Sequence, residues 1–119
     1  MERFAKYMAA MDGTNDWSVI GPLYDDAIDP DCVFITADGE YDKAQWAETV
    51  RKLVDRGAIA SGYEVTRAEG DTAYYKVTVA VAGEEPLHMA AKGTLREGRL
   101  VRVEPVDPAV YSSLVERSK

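Results

Sequence analysis

His88 is the one histidine of the chain and Cys32 its one cysteine, so the side chains that most often do chemistry near neutral pH each occur once. A histidine changes charge close to physiological pH and can act as base, acid or hydrogen-bond donor, provided its ring enters a cavity. His88 alternates with Leu87 and Met89 and shares a strand face with Ala90 and Lys92. That face is either a cavity wall or a solvated surface. Cys32 lies in the apolar run Cys32-Val33-Phe34-Ile35 with no basic neighbour in sequence, which makes it a small buried hydrophobe rather than a nucleophile. A single cysteine forms no intrachain disulfide, and one cysteine with one histidine leaves no zinc ligand set. None of the carboxylates has the spacing of a calcium loop, so neither metal nor cofactor is expected. Glu48 with Lys52, and Glu84 with Glu85, read as solvated charges, the first pair adding about 0.2–0.5 kcal/mol to a helix.

These residues must be positioned by a single domain over 1–119, because a chain of 119 residues buries one core rather than two. The formal net charge of -7 disfavours nucleic acid, whose phosphates call for Lys and Arg gathered on one surface. No apolar run approaches membrane-spanning length, and the segment Met1 to Met11 alternates apolar with charged residues, unlike a signal peptide. The expected compartment is the cytoplasm, with neither nucleic acid nor membrane as partner.

Phe4, Tyr7, Met8 and Met11 recur at i, i+3, i+4, i+7, one face of a helix that stops at Asp12-Gly13. A second helical face runs through Trp17, Ile20, Leu23, Tyr24 and Ala27, with Asn15 or Asp16 as cap and Gly21-Pro22 to kink it or delay its start. Asp29-Pro30-Asp31 reads as a turn into a short strand over 32–36, closed by the turn dipeptide Asp38-Gly39. Asp42 and Gln45 have the spacing of a capping box for a third helix carrying Trp46, Val50, Leu53 and Val54, with Gly57 as its C-cap. From Ile59 the period falls to two, and turn residues cut the remainder into antiparallel strands near 60–68, 72–82, 86–96 and 99–106. Asp107-Pro108 then opens a short terminal helix with Val110, Leu114 and Val115. Helices and strands segregated in this way define an α+β chain. Long twisted strands curl around the helices, and the wide end of such a cone is expected to leave a pocket.

The stretches Tyr7-Met8-Ala9-Ala10-Met11-Asp12, Leu23-Tyr24-Asp25-Asp26 and Asp31-Cys32-Val33-Phe34 through Asp38-Gly39 come next to a Trp46 helix and four strands. That order resembles the nuclear transport factor 2-like superfamily over nearly the whole chain, and within it the SnoaL-like and ketosteroid-isomerase-like group. The resemblance implies a cystatin-like half-open cone, a strongly curved antiparallel sheet wrapped around three helices from the N-terminal half. It also implies a pocket for a small, mostly apolar, carbonyl-bearing molecule. Isomerases, polyketide cyclases, epoxide hydrolases, dehydratases and non-catalytic binding modules all occur in this superfamily, so any chemistry implied is proton transfer without metal.

Ketosteroid-isomerase-like proteins pair a general base with donors that hold a developing oxyanion. By its place in the first helix, Tyr7 corresponds to the oxyanion tyrosine of that group, and Tyr24 to a supporting one. Each is equally readable as a core aromatic whose hydroxyl reaches backbone or water. Thr36 stands where the isomerases carry their aspartate, and a hydroxyl is no substitute for a carboxylate base. Asp38, two residues on and on the same strand face, is either a displaced base or a solvent-facing turn residue. The group's second acid falls near Ala90 or Ala91, leaving His88 as the nearest titratable side chain. Tyr7, Asp38 and His88 are therefore the candidate catalytic set, and Tyr24, Phe34, Thr36 and Trp46 the candidate pocket walls. Arg96, Arg99 and Arg102 with Glu104 and Asp107 resemble the Asp-Arg-Asp arrangement of the epoxide hydrolases only loosely, and read as a charged strand rim. The rival expectation is a non-catalytic module that forms a homodimer through the outward sheet face, with Tyr74, Tyr63 or the valine series in a two-fold interface.

Overall fold

The structure, a computed structural model, describes residues 1–119. Helix α1 spans Glu2–Gly13 and buries Phe4, Tyr7, Met8 and Met11, the face expected from their spacing. Helix α2 spans Trp17–Ala27, with the Asp16 carboxylate accepting from the Ser18 backbone N–H, 2.9 Å away, as N-cap. It runs straight through Gly21-Pro22, so the proline is absorbed inside the helix rather than delaying it. Helix α3, Lys43–Asp55, starts at a complete capping box: Asp42 accepts from the Gln45 N–H at 2.8 Å, and Gln45 returns a side-chain acceptor to the Asp42 N–H at 2.9 Å. No helix is long and apolar enough to cross a membrane.

The sheet has six strands in the order β2-β1-β6-β5-β4-β3. Strand β1, Ile28–Thr36, is longer than expected, because Asp29-Pro30-Asp31 sits within it as an irregularity where the register with β6 shifts. Strand β2, Gly39–Asp42, folds back on β1 around Asp38-Gly39, so the turn dipeptide opens a hairpin as well as closing the first strand. Strands β3 (Ile59–Glu69), β4 (Thr72–Ala80), β5 (Leu87–Arg96) and β6 (Arg99–Pro105) form the expected antiparallel meander. Its last strand then pairs with β1 in parallel, joining the two halves of the chain.

Alternation decides which side chains meet the helices. Tyr75, Val77 and Val79 on β4, Met89, Ala91 and Gly93 on β5, and Phe34 and Thr36 on β1 are buried. The valine series therefore packs inward and is not available to an outward interface. Tyr63 also turns toward the core, with its ring 5.6 Å from that of Phe4 and 5.9 Å from that of Tyr75. The sheet face away from the helices carries Tyr74, Lys76, Thr78, His88, Ala90 and Lys92.

The terminal helix α4, Pro108–Ser118, is capped by Asp107 as its sequence indicates, and it buries Tyr111, Leu114, Val115 and Ser118. It joins the three N-terminal helices on the inner side of the sheet, packing on α3, β1, β5 and β6. The cone thus holds four helices, and the fourth covers the end expected to stay open.

Gly93 is what allows the inner face to close over β5. A β-carbon there would lie 2.6 Å from Leu100 Cδ2 and 3.6 Å from the Tyr75 ring, and Leu100 is fully buried with nowhere to go. Gly93→Ala is expected to destabilise the fold by about 1–3 kcal/mol, the usual range for overpacking a filled core. A urea midpoint lowered at unchanged slope is the measurement; an unchanged midpoint would mean that the β5–β6 layer has slack.

Candidate functional site: a tyrosine-lined core cavity

The four helices and the inner sheet face enclose a cavity of about 50 Å³ whose seventeen lining residues are all hydrophobic or aromatic. Tyr7 from α1, Tyr24 from α2, Phe34 from β1 and Trp46 from α3 are among them, so four of the sequence-derived residues do converge. The space is nonetheless far smaller than expected. Benzene needs a cavity of about 150 Å³, and the wide end of this cone is filled by rings.

Trp46 organises that filling. Its indole stacks with Phe34 at 5.2 Å and 16° and with Tyr111 at 4.9 Å and 19°, while Tyr41 approaches edge-on at 6.1 Å. The Tyr111 hydroxyl lies 3.4 Å from that of Tyr75, a weak hydrogen bond. The Tyr24 hydroxyl donates to the Lys43 carbonyl at 2.8 Å and is satisfied there. Tyr7 is 3% exposed, and burial followed by the neighbouring Tyr111 phenol raises its pKa well above the ordinary tyrosine value. The phenol is one of the cavity walls, whereas the fully buried hydroxyl without a hydrogen-bond partner is that of Tyr63, outside the cavity lining.

The other sequence-derived residues lie elsewhere. Thr36 is buried, but its hydroxyl donates to the Gly39 carbonyl at 2.8 Å and accepts from the Asp38 N–H at 3.1 Å, so it braces the β1–β2 hairpin and is not a cavity wall. Asp38 is exposed in that hairpin turn. His88 is exposed on the outer sheet face, its Nδ1 3.0 Å from the Thr78 hydroxyl. Tyr7, Asp38 and His88 thus occupy three separate environments, and no carboxylate or imidazole lines the cavity. Of the charged rim, Arg96 bridges Asp29 at 2.9 Å and Asp31 at 3.3 Å, an Asp-Arg-Asp contact formed with β1 partners that strand spacing did not suggest, and it lies on the exposed surface.

Tyr75, Tyr111 and the three methionines Met8, Met11 and Met89 line the cavity and were not among the sequence-derived site residues. Tyr111 was legible in principle, since it precedes Leu114 and Val115 by three and four residues and so shares their face. The methionines were legible only as core.

Chemically, the site offers phenols and no base. Burial raises the pKa of Tyr24 and Tyr75 well above the ordinary range, and pushes Tyr111 up to about 12 and Tyr63 up to about 12. Protonated phenols donate hydrogen bonds, and their neutrality holds throughout the physiological range.

No protein-family profile matches the chain, and no curated protein matches it in sequence. Solved structures do. A cystatin-fold protein from Novosphingobium aromaticivorans superposes with a TM-score of 0.67 at 15% identity, over 88% of this chain and 95% of that one. A Sinorhizobium meliloti protein provisionally called a polyketide cyclase gives 0.64 at 20% identity, over 88% and 94%. An NTF2-like protein of unknown function from Cytophaga hutchinsonii gives 0.63 at 11% identity, over 87% and 84%. The chain therefore has the NTF2-like, cystatin-like fold, an α+β cone of curved sheet around helices. Identities this low carry the fold and leave activity to the site itself.

The raised phenols fix the sign of an alkaline transition. A phenol whose folded pKa exceeds its unfolded value near 10 contributes stability that is present below pH 10 and lost as pH rises toward the folded value. Stability should accordingly fall from about pH 10 upward. The phenolate absorbance of Tyr7, Tyr24, Tyr63, Tyr75 and Tyr111 should appear together with loss of the near-ultraviolet dichroism. Ionisation of all five in a protein that keeps that dichroism would contradict the burial described.

Proposed function

We propose that this protein is a non-catalytic binder of a small, mostly apolar molecule bearing one carbonyl, held in the tyrosine-lined cavity with the Tyr7 hydroxyl donating to the carbonyl oxygen. The observation that carries this reading is the Tyr7 phenol, a buried side chain that forms part of the wall of a cavity lined throughout by apolar and aromatic residues. A hydroxyl in the cavity wall that donates to a ligand carbonyl gains the net worth of one hydrogen bond, about 0.5–1.5 kcal/mol. Proton transfer is left out of the proposal because the walls supply donors and no carboxylate or imidazole.

A cavity of about 50 Å³ must grow to admit even a six-membered ring. Met8, Met11 and Met89 are the walls suited to that, since an unbranched thioether changes rotamer and refills space at low cost. With Met1 these are the four methionines of the chain, so methyl-labelled methionine gives three reporters in the cavity and one at the N-terminus. Cyclohexanone should shift the Met8, Met11 and Met89 signals saturably and bind about five- to tenfold more tightly than methylcyclohexane, the worth of one net hydrogen bond. Tyr7→Phe should erase that preference and keep the hydrocarbon affinity. Equal affinity for ketone and hydrocarbon in the unmodified protein would end the proposal.

Self-association through the uncovered sheet face is a second reading, favoured by one observation: no helix packs against the face carrying Tyr74, Thr78 and Ala90, and the Tyr74 ring there lies 5.5 Å beneath the Arg67 guanidinium. The charges on it include Glu64, Arg67, Lys76, Lys92, Arg102 and Glu104, a polar surface suited to a weak dimer. Light scattering behind size exclusion should give a mass that rises with loading concentration and a lower apparent affinity for Tyr74→Glu; a strict monomer at the highest loading would remove the dimer.

A further inference from the structure

The largest concavity of the molecule lies outside the cone. A cleft of about 850 Å³ separates the first turns of α2 from the start of α3, walled by Trp17, Ser18, Pro22, Asp25, Asp42 and Lys43. Its volume falls in the range of sites for small organic molecules, about 300–1,000 Å³. Three features of the walls specify what it would hold.

The first is a flat aromatic surface. The indole of Trp17 lies down along α2 over Gly21, where a β-carbon would stand 3.0 Å from Nε1 and 3.1 Å from Cε2. Any side chain at 21 would lift the ring, so a residue that costs about 1 kcal/mol inside a helix keeps the indole in place as a wall. The Tyr24 ring supports it at 6.1 Å.

The second is a carbonyl with no helical donor. Pro22 lies inside α2 and has no N–H to give to Ser18 four residues earlier, and both residues face the cleft. The third is charge. Lys43 is already bound, its Nζ 2.8 Å from Asp25 Oδ1 and 3.0 Å from the Asp25 carbonyl. Asp42 faces no cation among the ion pairs of the protein; its carboxylate caps α3 by accepting from the Gln45 N–H at 2.8 Å and leaves the cleft with one net negative charge.

An aromatic plane, a carbonyl without its i+4 helical donor and a helix-capping carboxylate without a counter-cation around one concavity are complementary to positive charge on an apolar body. We propose that the cleft between α2 and α3 binds a small organic cation, an ammonium group on an aromatic or aliphatic frame, with the cation over Trp17 and near Asp42. The attraction of an ammonium to an indole face and to a carboxylate supplies the selectivity for charge. The cleft and the core cavity are separate concavities that share the Tyr24 ring as a wall.

Benzyltrimethylammonium is a suitable probe, with benzyl alcohol as its neutral counterpart. The two tryptophans give two indole N–H signals, one in the cleft and one in the core. Titration of nitrogen-labelled protein should move the Trp17 signal saturably and leave Trp46 in place, with the cation binding about tenfold more tightly than the alcohol. Asp42→Asn keeps a capping side chain and should lower cation affinity about threefold or more at an unchanged melting temperature. Trp17→Phe should lower it again, read from backbone signals of α2. The proposal is overturned if the alcohol binds as tightly as the cation, if Trp46 moves with Trp17, or if Asp42→Asn binds the cation at full strength. A cation that moves no signal at its highest soluble concentration overturns it as well.

Discussion

Trp46 stands where three parts of the chain must meet: Phe34 of the first strand, the body of α3, and Tyr111 of the terminal helix. Burying rings of this size contributes about 2–3 kcal/mol each, and each stacked contact adds about 0.5–1.5 kcal/mol beyond area. The stack therefore decides that α4 lies inside the cone rather than loose beside it. Once Tyr111 is seated, its hydroxyl reaches Tyr75 on the central strand, and the cavity is reduced to the remainder among four phenols and three thioethers. The size of the cavity, the burial of Tyr7 and the height of the phenol pKa values all follow from that one closure.

The outline of the fold was legible because its signals are local. Helical spacing in α1, the Asp42–Gln45 capping box, the Asp107-Pro108 start and the period-two run after Ile59 each depend on neighbours within a few residues. Orientation was harder. Period two says that Val77 and Lys76 face opposite ways without saying which way is in, and it is the packing of Tyr75 on Phe4 that turns the valine face inward. His88 carried the same ambiguity, resolved by Met89 and Ala91 lying inside. Asp29-Pro30-Asp31 was read as a turn because proline and aspartate are turn formers, whereas the strand absorbs them at an irregularity. Cavity volume was the least legible quantity. It is a small difference between a large enclosure and the side chains that fill it, and Tyr111 and Leu114 of the terminal helix are among those side chains.

The cavity walls carry phenols with no carboxylate or imidazole beside them. The phenols are kept neutral by burial, so they donate and do not accept protons. The titratable groups that could have completed them are placed where solvent screens them: Asp38 in a hairpin turn, His88 on the outer face, and the Asp29–Arg96–Asp31 bridge on the rim of β1. The same scaffold presents its one large concavity at a helix junction instead, where a glycine and a proline inside α2 shape the wall.

The parallel pairing of β1 with β6 has a kinetic corollary. Val33 lies beside Arg102 and Phe34 beside Val103, partners separated by most of the chain. Such non-local closure costs loop entropy that the local hairpins of the meander do not, so it slows folding relative to them. During synthesis the first strand and the helices on either side of it wait, with their apolar faces uncovered, until β6 leaves the ribosome. The waiting segment has two carboxylates around a proline at its head, Asp29 and Asp31, and these discourage its early recruitment by the edge of another copy.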